Sequence, residues 1–124
     1  MANYVSPNRV SARLIFMNPW FLLFLAILLE LSGTTCLKLS HGFSRLAPSL
    51  GVVCFYLGSF YLMAQSLKTL EVGIVYAIWS GVGTALIAVV GILAFGESIT
   101  VFKILGLLLI IGGTFLLRVA SAQT

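Results

Sequence analysis

Apolar residues in this chain gather into four long runs, and polar residues are confined to the short stretches between them. The runs go from Trp20 to about Leu37, from Leu50 to about Leu67, from Gly73 to Phe95 and from about Val101 to Leu117. A bilayer core takes about 20 apolar residues per helix, with a range of roughly 17 to 25. In hydrocarbon every backbone polar group must find its partner within the structure, so each run is expected to be a helix. The links are "SHGFSRLAPS", "KTLEVG" and "GESIT". Pro48 suits the first turn of helix two, and Ser98 or Thr100 suits the cap of helix four. Links this short make sequential helices antiparallel. The pattern predicts an all-α membrane protein: a four-helix transmembrane domain over 17–124, preceded by a flexible or surface-lying extension over 1–16.

Composition narrows the picture. Hydrophobic residues make up 60% of the chain and charged ones 8%, where soluble domains average about 25% charged. Seven Lys and Arg residues against three Glu give a net charge of +4, and the basic ones bear on location. They stand singly between apolar runs, which fits anchors at a membrane surface and leaves no nucleic-acid footprint. Cys36 and Cys54 form no CxxC pair and read as small buried hydrophobes. No nucleophile–base–acid set, phosphate loop or metal-ligand cluster occurs, so the chain is expected to be no enzyme, with no cofactor and no metal. Arg9 and Arg13 before an apolar run resemble a signal peptide, but no A-x-A-type site follows.

Charge also bears on topology. Four helices put both termini on one face. That face collects Arg9, Arg13, Lys68 and Arg118, against Lys38, Arg45 and Lys103 on the other. The balance of four to three becomes two to three if Met17 is the working start. An excess of Lys and Arg on the cytoplasmic side normally sets orientation; here insertion both ways round and a single weakly signalled topology stand level. Four helices are few to enclose an organic ligand, so an oligomer is expected. Two opposed copies would carry the two-fold axis in the membrane plane that other transporters obtain from inverted repeats.

The candidate chemistry centres on Glu30, the one acid inside an apolar run. A charge at that depth costs at least about 2.5 kcal/mol on insertion scales, which marks it as a functional candidate. Ala26, Ile27, Gly33 and Thr34 neighbour it on the helix surface and leave room for a partner helix or a ligand. An apolar site disfavours the charged form of a carboxylate, and a like charge nearby does so further. Such an acid can be occupied by a proton or by an arriving cation. A structural alternative is a hydrogen-bonding residue that joins two helices. "YAIWSG" puts Tyr76, Trp79, Ser80 and Gly83 on one face of helix three. "CFYLGSFYLM" puts Tyr56, Ser59, Phe60 and Met63 along one face of helix two. Aromatic faces attract cations, quaternary ammonium groups above all. Gly81 and Gly83 mark either a bend or a close helix contact. Gly106 and Gly113, seven apart on helix four, would let two such helices approach as a dimer contact.

"LAILLELSGTTCLKLSHGFSRLAPS", "SFYLMAQSLKTLEVGIVYAIWSGVG" and "FGESIT" together resemble the small multidrug resistance family and its quaternary-ammonium branch, over about Met17 to Ala120. The resemblance implies a multi-pass exporter of the bacterial inner membrane, an antiparallel homodimer exchanging protons for lipophilic cations. It places the family's essential glutamate at Glu30, its ligand-lining tyrosine at Tyr56 and its conserved tyrosine and tryptophan at Tyr76 and Trp79. Kink glycines fall on Gly81 and Gly83, and helix-four contacts on Gly106 and Gly113. Tyr61 stands where that branch often has tryptophan. "HGFSRLAPS" is shared with the guanidinium-exporting branch, whose tryptophan after the glutamate is missing here. Thr34, Ser59 and Ser80 are the few hydroxyls available to a polar cargo, so guanidinium or polyamines are the alternative substrates. Pairing with a paralogue is the alternative to a homodimer. A non-transporting assembly subunit is the alternative of another class.

Overall fold

The computed structural model describes residues 18–123. The expected extension over 1–16, with Arg9, Arg13 and the alternative start at Met17, lies outside the described residues. The described chain forms four helices: α1 (Pro19–Leu39), α2 (Leu46–Ser66), α3 (Val72–Phe95) and α4 (Val101–Ala122). At 21, 21, 24 and 22 residues, they span roughly 31–36 Å at 1.5 Å per residue, enough to cross a bilayer.

The ends follow from local chemistry. Asn18 caps α1, its side chain accepting from the Trp20 N–H at 2.9 Å, with Pro19 at the first helical position. The helix runs two residues beyond Leu37 because Lys38 and Leu39 are good helix formers. It closes where the Ser40 hydroxyl donates to the Leu37 carbonyl and accepts from Phe43 N–H. His41, Gly42 and Phe43 then reverse the chain in left-handed conformation, with φ of 47°, 68° and 64°. Helix α2 begins at Leu46, four residues before the apolar run at Leu50. Pro48 falls in its first turn, where backbone N–H groups have no partner inside the helix in any case. Gly96, at φ 65°, ends α3. Thr100 caps α4 by accepting from Lys103 N–H at 3.2 Å, and that helix continues five residues past Leu117.

Helix α1 is the centre of the bundle. Its Leu23, Ile27 and Leu31 form the core with Val75 and Ile78 of α3. Small residues bring α2 against the other side. The Tyr56 ring and Phe55 Cβ lie where a side chain on Gly33 would be, and Cys36 occupies the same space over Gly51. Helix α4 packs on α3 and buries none of its own residues. Leu107, Ile110 and Thr114 are half-buried on the α3 side, while the rest of its apolar surface faces outward, with Phe102 86% and Leu109 77% exposed. Hydroxyls inside the spans are returned to the backbone: Ser32, Thr35 and Thr114 donate to the carbonyls of Leu28, Leu31 and Ile110. That removes donors the hydrocarbon could not satisfy.

Candidate functional site

Glu30 is the twelfth of the 21 residues of α1, which places its carboxylate near the middle of the span. It points toward α3 and is half-buried. One helical turn on, Thr34 Oγ1 donates to Glu30 Oε1 at 2.7 Å. The same oxygen lies 2.8 Å from the Tyr56 hydroxyl. A threonine hydroxyl has a single proton. With that proton on Glu30, the Tyr56 hydroxyl is the donor to Thr34, and a chain of two hydrogen bonds runs from α2 to the carboxylate. Gly33 makes it possible: a Cβ there would stand 3.0 Å from two carbons of the Tyr56 ring.

Across from Glu30, α3 supplies an aromatic wall. Tyr76 and Trp79 meet edge to face, with centroids 5.6 Å apart and planes at 66°. Trp79 Nε1 is buried with no hydrogen-bond partner. Glu30, Thr34, Tyr76, Trp79, Ser80 and Gly83 line one cavity of about 280 Å³, together with Thr84 and Ile87. A Cβ on Gly83 would come 3.8 Å from Glu30 Oε2, so the glycine leaves space beside the carboxylate. The cavity therefore offers a negative group, two aromatic rings and the hydroxyl residues Thr34, Ser80 and Thr84. It suits a cation with an apolar body.

Of the residues expected from the sequence, Glu30, Thr34, Tyr76 and Trp79 share this cavity. Tyr56 reaches it through Thr34, and Phe60 stacks on Tyr56 at 6.3 Å between centroids. Three expected lining residues are placed elsewhere, and the expectation is corrected for them. Ser59 is buried and donates to the Ala26 carbonyl at 2.6 Å, so both form a clamp between α1 and α2. Met63 packs against the core instead. Helix α3 is continuous through Gly81 and Gly83, the positions expected to bend or to make a close contact. A Cβ on Gly81 would collide with the Thr114 hydroxyl, which makes this glycine the seat of α4 on α3. Gly106 and Gly113 have open space around them. Thr84 and Ile87 were not among the expected residues. They continue the face of Tyr76, Trp79, Ser80 and Gly83 at four-residue spacing, a signal already present in the sequence.

The family model of the Small Multidrug Resistance protein matches residues 18–110. The chain belongs to the small multidrug resistance family. Within this family it is 44% identical to the multidrug transporter EmrE of Escherichia coli over 108 residues, covering 87% of this chain and 98% of that one. It is 47% identical over 99 residues to the multidrug resistance protein EbrB of Bacillus subtilis, covering 80% and 85% of the two chains. The guanidinium exporter of Proteus vulgaris is 39% identical over 102 residues, with 82% and 98% covered. The chain is thus a multi-pass membrane protein of a family whose named members are transporters and exporters, and the family locates it in the bacterial inner membrane.

Proposed function

We propose that this protein exports hydrophobic and quaternary ammonium cations in exchange for protons, as an antiparallel homodimer. The observation that carries the reading is the half-buried Glu30 carboxylate facing Tyr76 and Trp79 across one cavity near mid-span. The deprotonated carboxylate holds the cation, the rings attract its charge, and Thr34 steadies the acid. Protons arriving at the same carboxylate displace the cargo. In an antiparallel pair, the inward- and outward-open forms are one structure with the roles of the protomers exchanged. Residues 17–124 are the transporting unit, with Gly106 and Gly113 of α4 at the contact between copies.

The multidrug relatives support a lipophilic cargo, and so does the disposition of hydroxyls. Ser59 is committed to the Ala26 carbonyl and Thr34 to Glu30. Ser80 and Thr84 are then the cavity hydroxyls left for the many N–H donors of guanidinium.

Proton-driven uptake of tetraphenylphosphonium in proteoliposomes, with direct binding measured across pH, tests the proposal. Binding is expected to tighten as pH rises, because each cation must displace protons from the carboxylates. On the acid side the apparent affinity falls by up to about tenfold per pH unit for each proton displaced. Glu30→Gln should abolish the pH dependence and the uptake. Guanidinium binding stronger than that of tetraphenylphosphonium would replace the cargo class, and full activity of Glu30→Gln would return the protein to a structural role.

A further inference from the structure

A second, smaller cavity of about 120 Å³ continues from the first along the seam between α1 and α3. Thr34 and Ile87 line both, so the two spaces adjoin. The second is completed by Thr35, Lys38, Gly91, Phe95 and Glu97. The helix registers explain the arrangement. Glu30, Thr34 and Lys38 follow one another at four-residue spacing on α1, facing Gly83, Ile87 and Gly91 at the same spacing on α3. Each end of the α3 row is a glycine with a carboxylate beside it. Glu30 Oε2 lies beside Gly83, and a Cβ on Gly91 would fall 2.5 Å from Glu97 Oε2 and 2.8 Å from its Cδ. Eight residues of helix separate the glycines, which is about 12 Å along the axis. One carboxylate sits at mid-span and the other at the loop end of the same groove.

The lysines around Glu97 have other partners. Lys38 Nζ stands 5.8 Å from the centroid of Phe95. Lys103, which shares a neighbouring hollow with Glu97, donates from Nζ to the Ser98 carbonyl at 2.6 Å. Among the described residues, no ion pair is formed by Glu97. Its carboxylate is open to a cation arriving along the groove.

We propose that Glu97 is a second anionic subsite, which fits the protein to elongated dications whose two charged centres lie about 12 Å apart. One centre occupies the Glu30 cavity and the other reaches Glu97, with the apolar spacer lying along Ile87. Lys38 tunes this subsite in the opposite sense, since its ammonium lines the same small cavity. The inference deepens the cation reading above and rests on it.

The test compares decamethonium, a flexible bis-quaternary cation, with decyltrimethylammonium, which has the same chain and one charged end. Both are titrated calorimetrically into the full-length protein in lipid nanodiscs at low salt. The quantity read is the ratio of the two affinities. Glu97→Gln should lower it about three- to fivefold, the scale of a solvent-accessible ion pair. Lys38→Met should raise it, and Glu97→Asp should keep most of the wild-type value. An unchanged ratio in Glu97→Gln, or a lowered one in Lys38→Met, overturns the subsite while leaving the Glu30 reading intact. Failure of the wild-type protein to bind either compound overturns both.

Discussion

Thr34 shows how much of a site can hang on one hydroxyl. Among the described residues it links the Tyr56 hydroxyl to the Glu30 carboxylate. Thr34→Val keeps the shape and removes both hydrogen bonds. With each net bond contributing about 0.5–1.5 kcal/mol, tetraphenylphosphonium affinity should fall roughly three- to tenfold, with the helical circular dichroism unchanged. Thr34→Ser should restore most of it. Wild-type affinity in the valine variant would show that the relay is idle. Glu30, Thr34, Tyr76 and Trp79 were legible because each pair stands on one helix at three- or four-residue spacing. Ser59 was not. Its helix face could be read, but not that the face turns onto the Ala26 carbonyl, since that depends on how closely α1 and α2 approach. The sequence carries that distance only indirectly, through Gly33 and Gly51.

At the level of elements, glycines decide which helices touch. Gly33→Ala would press a methyl to 3.0 Å from the Tyr56 ring and 3.3 Å from Phe55 Cβ. Overpacking of this kind costs about 1–3 kcal/mol, and it should appear as a lowered thermal midpoint together with weakened cation binding, because Tyr56 is displaced. Gly81→Ala should destabilise through a different contact, the Thr114 hydroxyl, and Thr114→Ala in the same chain should recover much of the loss. A double-mutant cycle on thermal stability measures that coupling, and additive losses would remove Gly81 as the seat of α4. The four helices themselves were visible as apolar runs, with the ends at Phe95 and Val101 as expected and the others displaced by one to five residues. The larger shifts arise where the helix continues past the main apolar run: through Lys38 and Leu39 at the end of α1, and from Leu46 to Ser49 at the start of α2. An apolar run measures hydrocarbon thickness, while the helix stops only where a cap or a left-handed residue stops it. Gly81 could not be assigned to bend or contact from the sequence, since both use the same residue for the same lack of a Cβ.

On the scale of the whole molecule, α4 poses the largest question. It buries no residue and packs on α3, leaving a helix apolar on every side. Lipid can cover such a surface, but the open flanks of Gly106 and Gly113 would also admit a second copy at close range. The charges then bear on how that copy lies. Arg118 stands 4.0 Å over the Trp20 ring, so the end of α4 and the start of α1 share a face, joined there by Lys68 of the α2–α3 link. Lys38, Arg45 and Lys103 lie at the other ends of the helices. Among the described residues the faces carry two and three basic residues, too even a balance to fix one orientation. The proposed antiparallel pair requires dual insertion, which can be tested in the cell. A cysteine placed at the exposed Thr69 should react with an impermeant maleimide from both sides of the membrane, about half from each. The native Cys36 and Cys54, half-buried and exposed, are replaced by alanine so that only the new cysteine reacts. Two lysines added beside Thr69 should drive that loop to the cytoplasmic face and abolish transport by the chain expressed alone. A second version, with lysines added to the α1–α2 link and so inserted the other way, should restore transport when the two are expressed together. Labelling from one side only, or full activity of either fixed version by itself, would eliminate the antiparallel pair and leave a parallel assembly to be built around α4.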